Sequence, residues 1–398
     1  MIGENFFEKK REWSKIKDKI VAYYLKPYAA KILQNQKPLK IIDCFAGKGK
    51  FDDGEKGSPL IIADTIQEII SNTNTEAYKN RQIEACFIEK KYFKELKINT
   101  AECEKCKTLS GDFEDYIEQI SSSNKDINLF LYIDPYGIKN LTFDIFTTLK
   151  ENKATTEFLM NFNSFGFLRE GFRLLKYTVP KELNTDIDFE EDEKNSIERM
   201  DKIANGSYWQ QIINDKNGDK INMFKAEELF AAEYVKQLKM IYKHVINIAI
   251  KVEKHHLPKY RLIFGTNHHH GVKLMLDKMN EAWYELTPQG NGFAYFDEPD
   301  YYATETHKTL DGEILRLTEN KIHIQSLIVA LIDIFGIKYK FNDYLEAIKN
   351  MSKTPVVDLF SMGSKIQQIK VERMYKTGTG KTPSDWNWDN EIYLERIQ

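Results

Sequence analysis

The sequence has 398 residues, of which 42% are hydrophobic and 29% charged, and its formal net charge is −3 at pH 7. This length allows two domains, and the composition is that of a globular protein. The small net charge excludes a general attraction to nucleic acid, so such binding needs a local basic patch. Apolar runs fall short of the about 20 residues that a membrane span needs, and the first residues lack a secretory signal's apolar core. We therefore expect a cytoplasmic protein without membrane contact.

The first predicted element is a helix over residues 5–36, because apolar and aromatic residues such as Ile20, Tyr24 and Tyr28 recur there at helical spacing. Pro27 lies inside the pattern and predicts a kink or a division of the helix. The simpler interpretation is a helix that packs over the edge of the domain. The alternative is a lid over a cofactor, or part of a substrate surface.

A glycine-rich stretch follows the first predicted strand. Residues 40–44 form an apolar strand that contains Asp43, and the loop Phe45-Ala46-Gly47-Lys48-Gly49 comes next. Ser58 and Pro59 then mark the start of a helix. The pattern is not the dinucleotide G-x-G-x-x-G and has no triphosphate-binding Gly-Lys-Ser/Thr. It resembles the first motif of S-adenosylmethionine (SAM) methyltransferases, which implies that Asp43 and this loop hold the cofactor.

Acidic residues also follow the next two predicted strands. Glu89 ends the strand at 83–88, where a carboxylate can accept both hydroxyls of a ribose; the alternative is a surface residue before the next helix. Asp112 follows the short strand at Leu109. An acid there commonly accepts the exocyclic amine of adenine, with Phe113 against the ring. Asp112 could also cap the next helix, and the two roles are compatible.

The strand at 128–133 delivers Asp134, Pro135 and Tyr136 to the carboxyl edge of the predicted sheet, where ligands bind in open α/β proteins. The amine of a nucleobase is a poor nucleophile because its lone pair is delocalised into the ring. A carboxylate or backbone carbonyl that accepts its N–H bonds favours the nucleophilic form, and an aromatic ring can stack on the base. The alternative is a proline turn that ends a buried strand.

A fifth strand is predicted at 157–163, followed by a helical insertion at about 164–243 with an acidic run at 186–193. Strands at 245–254 and 260–266 are close enough along the chain to form the antiparallel pair that completes a methyltransferase sheet. The turn after them contains His268, His269 and His270. Because neighbouring residues point in different directions, and no other metal ligand lies at helical spacing, we predict a turn near the rim of the site.

The four cysteines all lie in the first third of the chain. Cys44 and Cys86 fall within apolar strands and are predicted to be core residues. Cys103-x-x-Cys106 is half of a zinc or redox pattern, but a second pair is missing, so we predict no metal site there.

The last part of the chain, about 305–398, is predicted to be a separate domain after a Gly-, Pro- and Tyr-rich linker. Helices at 321–335, 340–350 and 363–373 precede a basic, glycine-rich loop and a final strand at 390–397. This order resembles a winged helix, whose wing and third helix commonly touch nucleic acid. Lys376, Lys381 and Trp386 are then the candidate nucleic-acid contacts; the alternative is a protein-interaction or packing domain.

The assembled motifs resemble the three-Cys-motif partner family of bacterial proteins over nearly the whole length. The matching segments include Trp13-Ser14-Lys15, the glycine loop, Gly57-Ser58-Pro59-Leu60, Asp134-Pro135-Tyr136-Gly137 and Thr382-Pro383-Ser384-Asp385-Trp386. The resemblance implies a methyltransferase-like fold and a genomic companion protein. Locally, Asp134-Pro135-Tyr136-Gly137 resembles the D-P-F-G of tRNA guanosine-N2 dimethyltransferases and, more loosely, the D-P-P-Y of adenine-N6 and cytosine-N4 enzymes.

The sequence therefore predicts a class I SAM-methyltransferase α/β domain at 1–300 and a winged-helix-like domain at 305–398. The favoured function is methyl transfer from SAM to an exocyclic amine of an RNA or DNA base. Asp134 and Pro135 would hold the amine, and Tyr136 would stack on the base. A non-catalytic nucleic-acid- or protein-binding partner and a methyltransferase with another substrate remain as alternatives.

Overall fold

The computed structural model describes residues 10, 12–35, 37–71, 82–123, 126–135, 137–138, 141–150, 155–183, 196–250, 256–286, 309–353, 369–373 and 392–397. The chain divides into two compact units, one of Met1–Lys278 with Ala282–Tyr295 and one of Met279–Glu281 with Phe296–Gln398. Among the described residues, no helix has the length and apolar character to cross a membrane.

The first unit is built on a sheet of seven strands within the described residues, in the order β3-β2-β1-β4-β5-β7-β6. Strands β1 to β5 run parallel, and β7 is antiparallel to both of its neighbours. This arrangement confirms the predicted α/β class I methyltransferase-type sheet with its antiparallel final pair. The strands are β1 Leu39–Asp43, β2 Ile83–Glu89, β3 Cys106–Ser110, β4 Asn128–Ile133, β5 Thr156–Phe162, β6 His244–Ile250 and β7 Tyr260–Thr266.

The central strands are apolar because helices cover both faces of the sheet. Every residue of β4 and of β7 is buried, whereas the residues of β3 at the edge are exposed or half-buried. Cys44 and Cys86 lie in this core, as predicted. Cys103 and Cys106, the latter the first residue of β3, are joined in a disulfide.

The helices of this unit include one before β1 and one between each two successive parallel strands along the chain. They are α1 Glu12–Gln34, α2 Ser58–Ser71, α3 Phe93–Asn99, α4 Phe113–Ser123 and α5 Asp144–Lys150, with α10 His269–Leu286 after the last strand. Pro27 does not divide α1, which continues through it as one helix. Tyr24 and Tyr28 of α1 stack with ring centroids 5.3 Å apart and pack on Phe130 of β4, which fixes this helix on the sheet.

The predicted insertion is helical and contributes to the core rather than projecting from it. Its helices are α6 Ser164–Leu174, α7 Ile197–Ala204, α8 Tyr208–Asn217 and α9 Met223–Lys239. Phe230 of α9 stacks between Phe162 of β5 and Phe167 of α6, with centroid distances of 5.6 and 4.4 Å. Trp209 is fully buried beside Phe167. The predicted acidic run at 186–193 lies outside the described residues.

A buried carboxyl lies where α1 meets the sheet. Glu157 of β5 accepts hydrogen bonds from the Tyr24 hydroxyl and, at 2.6 Å, from the Thr266 hydroxyl. Burial raises its pKa from 4.5 to about 7, although both hydroxyl donors lower it. Because the folded pKa is the higher one, the folded chain binds more protons between about pH 4.5 and 7, so stability falls as the pH rises through this window.

We therefore predict that Glu157→Gln increases the unfolding free energy at pH 8 by roughly 1–3 kcal/mol, since the amide avoids burying a charge. The advantage should shrink toward pH 5, where the wild-type carboxyl is protonated. Urea unfolding of both proteins at the two pH values measures this, with the exposed Glu104→Gln as the control. A gain of equal size at both pH values would contradict the prediction.

The second unit contains a small three-stranded sheet, in the order β8-β10-β9, with helices before and between its strands. Its elements are α11 Leu310–Leu317, β8 Ile322–His323, α12 Ile324–Phe335, α13 Phe341–Met351, β9 Ile369–Arg373 and β10 Ile392–Arg396. The prediction of a helix over 363–373 is wrong over 369–373, because Ile369 and Val371 belong to a strand paired with β10. The winged-helix assignment stays a prediction.

Candidate active site

A cavity of about 410 Å³ opens at the carboxyl ends of the parallel strands, the edge where the sequence placed the ligand. Most of the predicted cofactor and catalytic residues line it. These are Phe45, Ala46, Gly47, Gly49, Glu89, Asp112, Phe113, Asp134 and Pro135. Asp43 lies beneath the glycine loop and is not among the described residues that line the cavity, and Tyr136 lies outside the described residues.

The glycine loop needs its glycines for conformation and for space. Gly47 and Gly49 have φ angles of 60° and 78°, which side chains rarely permit. A Cβ on Gly49 would also lie 3.3 Å from the Leu96 side chain. The N–H of Gly57 donates to the carbonyl of Gly49 at 2.9 Å, and Asn99 donates to the carbonyl of Lys48 at 2.8 Å. The loop is thus held from both sides and leaves a small-residue surface toward the cavity.

Glu89 joins the end of β2 to the glycine loop. One carboxylate oxygen accepts the N–H of Gly47 at 2.9 Å, and the other accepts the N–H groups of Lys91 at 2.7 Å and Tyr92 at 3.0 Å. A carboxylate has about four acceptor positions. One position therefore remains for a ligand hydroxyl, and a second hydroxyl would have to compete with an existing N–H bond.

Asp43 is a fully buried acid at the end of β1. One of its oxygens accepts the N–H of Phe45 over a long 3.3 Å. Burial raises its pKa to about 7, against the lowering effects of the Ser58 hydroxyl and the Phe45 N–H. Through its bond to Phe45, Asp43 stabilises the first residue of the glycine loop.

Asp112 and Phe113 lie at the β3 side of the cavity. The Asp112 carboxylate is paired with the Lys90 ammonium at 2.5 Å, and this pair is partly exposed. The Phe113 ring is buried and meets Phe45 edge to face, with centroids 6.1 Å apart. Two aromatic rings and a carboxylate therefore border the same part of the cavity, which suits a flat base that carries an amine.

Asp134 lies directly after β4 and is held on both oxygens. Asn161 donates to one oxygen at 2.6 Å, and Lys17 donates to the other at 2.5 Å. The Tyr132 hydroxyl lies 3.4 Å from the oxygen that Lys17 contacts. The carboxylate is therefore fixed in orientation at the cavity wall, with acceptor capacity remaining on the oxygen that Asn161 contacts.

Lys17 is a site residue that the sequence reasoning missed. Its ammonium is buried, contacts Asp134, and lies 5.3 Å from the centre of the Tyr260 ring. The neighbouring Asp18 pairs with Lys10 at 2.7 Å, and burial raises its pKa to about 6 although Lys10 lowers it. Ser14, Lys17 and Asp18 all line the cavity. Their spacing of three and four residues, which places them on one helix face, was the available signal.

The wall beyond Asp134 comes from the end of β5, the start of α6 and the start of β7. Asn161 of β5 and Asn163, the N-cap of α6, both line the cavity together with Phe165, Lys259 and Tyr260. Lys259 lies 5.9 Å from the centre of the Phe165 ring. These residues make the far side of the cavity basic and aromatic. The sequence showed that Asn161 lies near the end of a predicted strand. It did not show that Asn161 contacts Asp134.

Two further predictions concern the histidine turn and the nucleic-acid contacts. The first is wrong, and the second stays a prediction. The turn at His268–His270 does not lie at the rim of the cavity, because β7 runs antiparallel to β5 and therefore ends at the opposite edge of the sheet. The predicted nucleic-acid contacts Lys376, Lys381 and Trp386 lie outside the described residues.

No protein-family model and no curated protein matches the sequence. Among solved structures, the chain is similar to LPL1258 of Legionella pneumophila, from family DUF519, at 12% identity and a TM-score of 0.37, covering 68% of this chain and 91% of that one. It is also similar to the plantazolicin methyltransferase BamL, solved with a triazolic desmethylPZN analog and SAH, at 10% identity and a TM-score of 0.28, covering 67% and 90%. These similarities are too distant to indicate a function, which has to be argued from the site.

Proposed function

We propose that this protein is a SAM-dependent methyltransferase that acts on an exocyclic amine of a nucleic-acid base. The observation that carries the proposal is the convergence of Glu89, Asp112 and Asp134, each placed at the end of a parallel strand, on one cavity with the glycine loop. Carboxylates without a common function would not be expected to line one cavity together with a loop of glycines in the left-handed conformation.

The residues at the loop side of the cavity fit the cofactor. Glu89 has an acceptor position for a ribose hydroxyl. Asp112 can accept the adenine amine, with Phe113 and Phe45 against the ring. Bound SAM would supply an electrophilic methyl group. Its positive charge suits a site with several carboxylates, and Asp112 would exchange its bond to Lys90 for one to the amine.

The residues after β4 would hold the substrate. The oxygen of Asp134 that Asn161 contacts can accept an N–H of the base amine, and the Pro135 carbonyl can accept another. Methyl transfer would place positive charge on the amine nitrogen, whose proton would then pass to solvent. Asp134 favours that charge electrostatically. We assign Tyr136 to stacking on the base, which in a duplex would have to be flipped out.

Partners are proposed from the sequence. The family resemblance supports a companion protein of the three-Cys-motif type. The proposed nucleic-acid contacts of the C-terminal domain are Lys376, Lys381 and Trp386. We also propose that the protein is cytoplasmic. The basic and aromatic wall with Lys259 and Phe165 also supports an anionic, planar substrate.

One observation favours a second candidate, a non-catalytic binding partner that retains the fold. Lys17 already occupies one oxygen of Asp134, as expected if the acid were structural. Methyl transfer from labelled SAM to total cellular RNA and DNA separates the two candidates. Incorporation into either nucleic acid supports the enzyme, whereas binding of nucleic acid without incorporation supports the binding partner.

Cofactor binding gives a direct prediction for Glu89. Calorimetry should show SAM binding by the wild-type protein, and Glu89→Ala should weaken it by about 1–3 kcal/mol, the usual cost of losing a hydrogen bond to a charged group. Part of this loss should come from the loop, since Gly47 also loses its acceptor. The exposed Glu104→Ala is the control. If the wild-type protein shows no binding of SAM at millimolar concentration, the enzyme proposal is wrong.

A further inference from the structure

A cluster of histidines lies at the sheet edge opposite the cavity. Strand β7 ends at Thr266, and Gly265 pairs with Phe158 near the start of β5. The cavity lies instead beyond the other end of β5. His268 follows β7, and His269 and His270 begin α10. Whatever this cluster binds is therefore separate from the proposed active site.

The three imidazoles gather on one side of the turn although they are consecutive in the sequence. Ring centroids are 4.8 Å apart for His268 and His269, 5.1 Å for His268 and His270, and 4.3 Å for His269 and His270. One ring nitrogen from each lies within 4.8 Å of the others. The backbone changes here from strand to helix, so the alternation assumed for neighbouring residues does not apply. The Nδ1 of His268 accepts the N–H of His270 at 3.2 Å.

A fourth histidine lies on the neighbouring edge strand. His244, the first residue of β6, pairs with Thr266 in the antiparallel ladder, two positions before His268. Its Nδ1 is buried and has no hydrogen-bond partner among the described residues. A buried imidazole nitrogen without a hydrogen-bond partner is suited to bind a cation.

We propose that His268, His269 and His270, with His244 as the fourth ligand, form a binding site for a divalent transition-metal ion of the zinc class. Neutral imidazole is a preferred ligand of Zn²⁺, Cu²⁺ and Ni²⁺. Tetrahedral Zn–N bonds of about 2.0–2.1 Å place ligand nitrogens roughly 3.3 Å apart. The three nitrogens within 4.8 Å thus need to approach one another by about 1.5 Å at most, which side-chain rotations can supply.

The location determines how strong such a site is and what it does. The N-terminal end of α10 carries a positive partial charge, which opposes a cation, and thiolate ligands are not part of the cluster. The site should therefore be weaker than a structural centre with cysteine ligands. It would tie the start of β6, an edge strand, to the start of α10. Because the unfolded chain lacks the preformed site, the metal should stabilise the folded protein.

The test uses full-length protein that carries no histidine tag, titrated with Zn²⁺ in competition with a chromophoric chelator and, separately, with Co²⁺. We expect one specifically bound ion per chain, Co²⁺ bands in the visible region without thiolate charge-transfer absorption, and a melting temperature that rises with Zn²⁺. Loss of an outer-shell partner alone costs roughly 10–100-fold in metal affinity, so His269→Ala and His244→Ala should each raise the Kd at least tenfold. The exposed His256→Ala should bind as the wild type does.

Three results would overturn the proposal. They are wild-type protein without specific Zn²⁺ binding, an affinity that His269→Ala leaves unchanged, and binding that is lost in Cys103→Ser instead, which would place the ion at the two cysteines. The melting temperature without metal shows whether His244→Ala is folded. If it is not, His270→Ala takes its place, because that residue lies on the first turn of α10 and is only half-buried.

Discussion

Asp134→Asn should lower kcat for methyl transfer by about 10²–10³-fold, the usual effect of removing one preorganised group that stabilises charge in the transition state. The carboxylate is fixed by Asn161 and Lys17, so its charge acts on the amine without reorganisation. Asparagine has nearly the same shape but lacks that charge. Affinity for SAM should change by only a few-fold, since Asp112 and Glu89 form the cofactor side of the cavity.

Single-turnover transfer to the accepted nucleic acid measures this effect, and calorimetry measures SAM binding in parallel. The matched control is Asp64→Asn, an exposed acid that pairs with Lys56 at the surface. If turnover and SAM binding fall together, Asp134 belongs to the cofactor site and its catalytic assignment is wrong. If neither changes, the proposed chemistry at the end of β4 is wrong.

The second large effect concerns the support behind the substrate side of the cavity. Arg261 of β7 donates to both carboxylate oxygens of Glu227 in α9, at 2.7 and 2.6 Å, and both residues are buried. Ser164 donates to the same carboxylate at 2.5 Å and directly follows Asn163, which lines the cavity. The Arg261–Glu227 ion pair therefore connects the helical insertion to the sheet beside the site.

We expect Arg261→Met to lower the unfolding free energy by about 3–5 kcal/mol, because it leaves the Glu227 carboxylate buried without its cation. The double variant Arg261→Met, Glu227→Leu should recover much of this loss, since it removes both charges. Urea unfolding measures all three proteins. Lys202→Met, which breaks an exposed pair with Glu198, should change stability by only about 0–1 kcal/mol. A double variant as unstable as the single one would show that packing, not charge, dominates here.

The sequence by itself determined the sheet and the glycine loop of this protein. Hydrophobic runs that end in Asp43, Glu89 or Asp134 are local patterns, and parallel strands bring their carboxyl ends to one edge whatever the loops do. The same logic predicted the antiparallel final pair and a helical insertion. The local pattern was insufficient at 369–373, where Ile369 and Val371 also fit a helix, and pairing with β10 made the segment a strand.

Only the tertiary structure decided which charges meet. Lys17 and Asp134 are 117 residues apart in sequence, and Asn161 is 27 residues beyond Asp134. Likewise, His244 lies opposite Thr266, two residues before His268, only because β6 and β7 pair. Periodicity reports which face of one element is buried, since it depends on the repeat of that element alone. Contacts between elements depend on how the elements pack, so the ion pair that holds the proposed catalytic acid could not be predicted from any local pattern.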